Sequence, residues 1–319
     1  MKAIRVLLTE KCNASCKNCF NANYRRSKDM DLIEFKELCD YLSANNIIKL
    51  KIMGGEPTYH PDFIELVQYA QTKFEGVHIF TNAINDELFK IKLREKDSVI
   101  YNASFLNKGF NIDKLLLEQG GSRTFETQIS SDSDIDNIKS NFNDILSRTI
   151  KTYGYNEIID RIGINMTLNC IENIFEKKSI IIEKWNNLYH FIKDELKIDV
   201  KVDHSIPWCF FVNTEMDIKQ GIWKCDPQCS GLIDSNLMLR YCNQMPRELI
   251  QIKQNGRFIP FKIIENYLSM ANMEKISGNM NKICKDCIFF GAKCNGGCFM
   301  HKDFISKESV LNSTNLPKK

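Results

Sequence analysis

Across residues 1–210, short β-rich apolar runs alternate with stretches of helical period, and this alternation limits the fold more than any other feature of the chain. The strand candidates are residues 4–8, 49–53, 77–81, 98–104, 161–167 and 198–203. Between them, Leu32, Phe35, Leu38, Cys39 and Leu42 recur on one helical face. Asp31 and Glu34 stand ahead of that face as a capping box, Asp31 accepting from the first turn and Glu34 reaching back. Cys39 therefore reads as a small buried hydrophobe. Pro61 suits a first helical turn leading into Phe63, Leu66 and Ala70. Ile135, Ile138, Phe142 and Ile145 keep the same period, and residues 171–196 are helical by pattern throughout. Strand–helix alternation implies parallel pairing through right-handed crossovers. Six such units predict an α/β fold, a partial (β/α)6 TIM-like barrel.

Parallel barrels carry their sites at the carboxyl ends of the strands. Cys12, Gly54, Asn82, Ser104 and the region after Asp203 all fall at such ends, so they converge on one expected pocket. After residue 211 strands shorten and Cys, Gly, Asn and Met become frequent. The expected division is a barrel over 1–210 and a small cysteine-rich α+β domain over 211–319, with 306–319 a polar tail.

Composition decides what the cysteines are for. Nothing at the amino terminus directs secretion, because its apolar run is interrupted at Glu10 and Lys11. No stretch reaches the roughly 20 apolar residues of a membrane span. A cytoplasmic chain keeps its thiols reduced, so clustered cysteines point to metal rather than disulfides. Ten of the thirteen cysteines fall into three groups. The net charge of +3 is small and dispersed, which argues against a nucleic-acid partner.

The first group is Cys12-Asn-Ala-Ser-Cys16-Lys-Asn-Cys19, directly after the first strand. Three thiolates on one loop can hold three irons of a [4Fe-4S] cube and leave the fourth open to a substrate molecule. The alternative is zinc, which prefers four ligands in two spaced pairs. The other groups are Cys225, Cys229 and Cys242, then Cys284, Cys287, Cys294 and Cys298. The last four alone can instead form a zinc knuckle. Cys209 lies after the last barrel strand, where it can donate a hydrogen atom, ligate a cluster or be buried. Cys170 reads as structural, and His60 and His204 as satisfied strand-end groups more than proton shuttles.

The cysteine loop resembles the CxxxCxxC signature of the radical S-adenosylmethionine (SAM) superfamily, and Gly54-Gly55-Glu56-Pro57 at the end of the second strand resembles its GGEP motif. Glycine there lets backbone carbonyls approach the SAM ammonium, where a side chain would intrude. The resemblance implies that Cys12, Cys16 and Cys19 bind a [4Fe-4S] cluster and that SAM chelates its open iron. Reductive cleavage then gives methionine and a 5′-deoxyadenosyl radical that abstracts hydrogen from the substrate. Gly54, Gly55, Glu56, Pro57, Asn82, Ser104 and Asn165 are candidate SAM contacts. The aromatic residue common before the third cysteine is replaced by Asn18, which leaves Phe20 as the candidate adenine contact.

The carboxyl-terminal cysteines are similar to those of SPASM domains, which carry auxiliary iron–sulfur clusters. By that resemblance Cys225, Cys229, Cys242 and Cys298 bind one auxiliary [4Fe-4S] cluster, and Cys284, Cys287 and Cys294 begin a second. The seventh SPASM cysteine has no counterpart, so His301 or Cys209 replaces it, the site stays open, or only one cluster forms. The glycine expected before Cys242 is also missing, with Asn236 the expected substitute in the turn.

SPASM-type enzymes mostly modify peptides, so a peptide or protein substrate is the leading expectation. Against it, the chain begins at the first barrel strand, without a preceding segment that could capture a leader peptide by strand addition. The alternatives are a dehydrogenase or epimerase acting on a small natural-product intermediate, and a non-catalytic iron–sulfur or zinc protein. A flavodoxin- or ferredoxin-type electron donor is implied by the resemblance.

Overall fold

A computed structural model describes residues 1–16, 19, 28–103, 120–153, 159–166, 177–201, 231–242, 245–278 and 294. The mixed α/β architecture read from the alternation is present. Its strands are β1 (Ala3–Leu7), β2 (Lys49–Met53), β3 (Gly76–Thr81), β4 (Ser98–Asn102), β5 (Ser122–Ile129), β6 (Arg161–Met166) and β7 (Asp199–Lys201). These seven pair consecutively and in parallel, β1 to β2 through β6 to β7. Five α-helices are described: α1 (Leu32–Ala44), α2 (Phe63–Lys73), α3 (Ile135–Tyr153), α4 (Lys178–His190) and α5 (Phe261–Gly278). A π turn, Phe191–Glu195, continues α4 and buries Phe191 and Ile192. None of the described helices is long and apolar enough to cross a membrane.

The core lies between the sheet and its helices. Val6, Leu50, Ile52, Val77, Ile79, Val99, Phe125, Ile162 and Ile164 are all fully buried on the helix-facing side. Against them pack Phe35, Leu38, Cys39 and Leu42 of α1 and Leu66, Val67 and Ala70 of α2. Cys39 has the buried role its spacing predicts, and burial pushes its thiol pKa up, with nearby Asp40 adding to the rise. Asp31 caps α1 by accepting from the Ile33 and Glu34 amides, while Glu34 pairs with Lys253 at 3.7 Å.

Two features extend the sequence reading. β5 supplies a parallel strand between the fourth and fifth candidates. Its side chains alternate, with Phe125, Thr127 and Ile129 buried and charged or polar residues between them. The sheet also continues past β1. Strands β8 (Leu232–Ile233), β9 (Met238–Cys242) and β10 (Met245–Gln251) add on that edge, β8 parallel to β1 and the next two antiparallel. A small hairpin, β11 (Lys253–Gln254) with β12 (Arg257–Phe258), leads into α5. Tyr41 of α1 donates to Ile259 O at 2.8 Å and stacks on Phe258 at 4.6 Å, tying these later elements to the first barrel unit. The expected division near residue 210 falls within 202–230, outside the described residues.

Candidate active site

The carboxyl ends of β1, β2 and β3 meet at the cysteine loop. Cys12, Cys16 and Cys19 follow β1 and are half-buried. The Ala14 amide faces Cys12 Sγ at 3.4 Å, and the Cys19 amide donates to Cys16 O at 3.3 Å. The neck of the loop is closed between residues 8–10 and 28–30. Glu10 N donates to Lys28 O at 2.9 Å, Met30 N to Leu8 O at 2.8 Å and Thr9 Oγ1 to Asp29 Oδ1 at 2.6 Å. Burial alone would raise the Asp29 pKa, but hydrogen bonds from Lys11 and Thr9 outweigh it and hold the carboxyl below its ordinary range.

Gly54-Gly55-Glu56-Pro57 forms a ledge under this loop. The Gly55 amide donates to Thr9 O at 2.7 Å and the Glu56 amide to Lys11 O at 2.8 Å. A Cβ on Gly55 would stand 2.2 Å from Lys11 O and 2.7 Å from Glu10 O, a collision with backbone on both counts. The close approach recorded for this glycine is therefore to the cysteine loop itself. Pro57 opens a 3-10 turn, Pro57–Tyr59, whose first turn Glu56 caps.

Glu56 is 1% exposed. Its Oε1 accepts from Thr81 Oγ1 at 2.6 Å and Thr58 Oγ1 at 2.8 Å, and its Oε2 accepts from the Asn82 amide at 2.7 Å. Burial raises its pKa, and these donors only oppose that rise in part. The carboxylate is a joint between the ends of β2 and β3. Asn82 completes the joint, its Nδ2 donating to Asn13 Oδ1 at 2.7 Å. Asn13, Thr9, Thr58 and Thr81 were not singled out by the sequence pattern. A polar residue inside the cysteine spacing, opposite a strand-end Asn, was the available signal for the first.

The donor set suits an iron–sulfur cluster. Three thiols on eight residues are soft ligands without a fourth neighbour in the loop, and the glycine ledge fixes the loop's backbone. Among the described residues no three His, Cys, Asp or Glu side chains stand gathered in metal-binding geometry, so the fit rests on donor chemistry and on the seat of the loop.

The other candidates divide plainly. Cys242 ends β9 and is half-buried, and Cys294 is buried. Asn165 lies on β6 opposite Gln128, its side chain outside the described residues. Asn18, Phe20, Ser104, Cys209, Cys225, Cys229, Cys284, Cys287 and Cys298 lie outside the described residues, as do Cys170, His204 and His301. His60 is a satisfied core group, its Nε2 donating to Met30 O at 2.7 Å and its Nδ1 accepting from the Asp62 amide. One expectation is corrected. The residue that takes the left-handed turn before Cys242 is Leu237, at φ 58°, and not Asn236. Leu237 is 1% exposed, so core burial offsets the steric cost of that conformation.

A parallel sheet carries a three-cysteine loop after its first strand, seated on a glycine ledge at the end of its second. Residues 6–101 match the family model described as "Radical SAM superfamily". A match to that family implies a [4Fe-4S] cluster and SAM. The mycofactocin maturase MftC of Mycobacterium tuberculosis is 36% identical over 78 residues, 24% of this chain and 20% of the maturase. A S-adenosylmethionine-dependent nucleotide dehydratase from Selenomonas ruminantium is 34% identical over 80 residues, 25% of this chain and 29% of the dehydratase. The aligned stretch thus spans less than a third of either relative. Among solved structures, anSMEcpe with bound AdoMet and the Kp18Cys peptide superposes with a TM-score of 0.61. It shares 13% identity, with 98% of this chain and 96% of that one covered. The likeness establishes a common fold.

Proposed function

We propose that the chain is a radical SAM enzyme that cleaves SAM reductively at the Cys12–Cys16–Cys19 loop and modifies a peptide or protein. The observation that carries this reading is the seat of the loop. Gly55 admits Lys11 O where a side chain could not fit, and Asn82 holds Asn13. Cys12, Cys16 and Cys19 would hold a [4Fe-4S] cluster, which would supply the electron for reductive cleavage of SAM. The chain's own part is to place three thiols on one loop and to offer strand-end groups to SAM. Of these, Gly54, Gly55, Glu56, Pro57 and Asn82 lie beside the loop, and Asn18, Phe20, Ser104 and Asn165 complete the proposed set.

The peptide reading is supported by the maturase relative and by the peptide named in the anSMEcpe structure. In the same reading residues 211–319 form a SPASM-like domain with one or two auxiliary clusters. Their ligands are Cys225, Cys229, Cys242, Cys284, Cys287, Cys294 and Cys298, with Cys209 at the pocket as hydrogen donor or ligand. A flavodoxin or ferredoxin supplies the electron. A small-molecule substrate is the second reading, favoured by the dehydratase alignment over 80 residues.

The test is anaerobic. Protein reconstituted with iron and sulfide, reduced and given SAM is expected to release 5′-deoxyadenosine. The Cys12/Cys16/Cys19→Ala variant should release none while retaining any carboxyl-terminal clusters. Equal release from both proteins would remove the role assigned to the loop.

A further inference from the structure

The neck of the cysteine loop has a second support, and it comes from late in the sequence. The loop departs at Glu10, three residues past the end of β1, and returns at Lys28, where the two backbones meet at 2.9 Å. The side chains of both neck residues are held by one turn, residues 234–237, between β8 and β9. Ser235 Oγ donates to Glu10 Oε1 at 3.3 Å, and Lys28 Nζ donates to Asn236 Oδ1 at 2.6 Å. Glu10 is 1% exposed and Ser235 fully buried. Because β8 runs parallel to β1, it delivers this turn to the same end of the sheet as the cysteines.

The turn is itself rigid. Asp234 Oδ1 accepts from the Asn236 amide at 2.9 Å and the Met238 amide at 3.0 Å. Its Oδ2 takes Arg240 Nε at 3.0 Å and Arg240 Nη2 at 2.7 Å, an ion pair buried on both sides. Leu237 closes the turn in the left-handed region with its side chain in the core. A fixed turn touching both sides of a loop neck sets the separation of those sides, and the Lys28 contact lies at the protein surface, where a hydrogen bond adds little to stability.

We propose that Ser235 and Asn236 are positioning residues for SAM cleavage. They fix Glu10 relative to Lys28, and so fix the path of the loop carrying Cys12, Cys16 and Cys19. The same contacts couple that loop to the hairpin that ends at Cys242. The proposal rests on reading the loop as the SAM-cleaving site, and the experiment separates the two.

Wild type, Asn236→Ala, Asn236→Asp, Ser235→Ala and the remote variant Arg94→Met are reconstituted side by side. The readouts are 5′-deoxyadenosine release at saturating SAM, the electron paramagnetic resonance (EPR) signal of the reduced cluster with SAM, and Tm. Asn236→Ala is expected to lose about tenfold in rate and to alter the SAM-bound signal, less than the ~100-fold that a 1 Å misplacement costs. Its Tm should stay within about 2 °C of wild type. Asn236→Asp, which still accepts from Lys28, should restore both rate and signal. Ser235→Ala should lower the rate in the same direction, and Arg94→Met should lower Tm with the signal unchanged. Wild-type rate and signal in Asn236→Ala, or an Asp variant no better than Ala, would overturn the positioning role alone. A wild type that makes no product and shows no SAM-dependent signal would overturn the SAM-cleaving reading, and this inference with it.

Discussion

A buried carboxylate sits at each end of the parallel sheet, and the two are built on opposite plans. At the amino-terminal end Asp97 is 1% exposed and meets a cation. Its Oδ1 accepts from Arg94 Nη2 and the Val77 amide, both at 2.8 Å, and its Oδ2 accepts from the Arg94 amide at 2.8 Å and Gln71 Nε2 at 2.9 Å. At the carboxyl end Glu56 is equally buried but accepts from neutral groups, Thr58, Thr81 and Asn82. Burial works to raise both pKa values. At Asp97 the Arg94 guanidinium and three further donors outweigh it and the pKa falls, while at Glu56 burial prevails and the pKa rises. One end is a charge-compensated joint that holds α2, β3 and β4 together. The other accepts an uncompensated buried acid to hold strand ends in the shape the cysteine loop needs.

This contrast sets an order of effects. Gly55→Ala should be the most severe, because its Cβ would strike the Lys11 and Glu10 carbonyls. Displacing the loop by even ~1 Å is expected to cost about 100-fold in SAM cleavage. Wild-type cleavage by that variant would show that the ledge does not seat the loop.

Asp97→Asn comes next and should act on stability alone, by about 2–4 kcal/mol in denaturant unfolding, with SAM cleavage retained at 25 °C. Its pH dependence has a definite sign. The folded pKa lies below the unfolded value of about 3.9, so the stabilisation is complete above that pH and is lost as pH falls through the folded value. The gap between wild type and Asp97→Asn should therefore narrow on acidification below about pH 4.

Glu56→Gln should show the smallest and opposite trend. The folded pKa lies above the unfolded value of about 4.3, so ionisation costs stability as pH rises from there toward the folded value. The stability advantage of wild type over Glu56→Gln should shrink across that rise. An advantage that grows instead would mean that the hydroxyl and amide donors stabilise the carboxylate more than burial penalises it.

Much of the amino-terminal half could be read directly. Apolar runs such as that of β4, where Val99, Ile100 and Tyr101 are all buried, announce themselves, and the α1 stripe with its Asp31 cap follows from helical period. The Cys12–Cys19 spacing and the Gly-Gly-Glu-Pro motif are local in sequence, so their chemistry is legible without a fold. β5 was not, because Arg123, Glu126 and Gln128 interleave with Phe125, Thr127 and Ile129 and dilute any apolar run. The Asn13–Asn82 and Lys28–Asn236 contacts join residues 69 and 208 positions apart, which no local pattern encodes. The left-handed turn at Leu237 was hidden for a different reason. A leucine at positive φ contradicts local propensity and is held there by tertiary burial.

The central claim is that the cysteine loop, seated on the Gly55 ledge, binds SAM at an iron–sulfur cluster. It is tested most directly by EPR of the reduced, reconstituted protein with and without SAM. In wild type and Asp97→Asn, SAM should shift the signal of the reduced cluster. In Gly55→Ala and the triple cysteine variant that shift should be absent. A wild-type spectrum indifferent to SAM, or a shift that survives loss of Cys12, Cys16 and Cys19, would contradict the account.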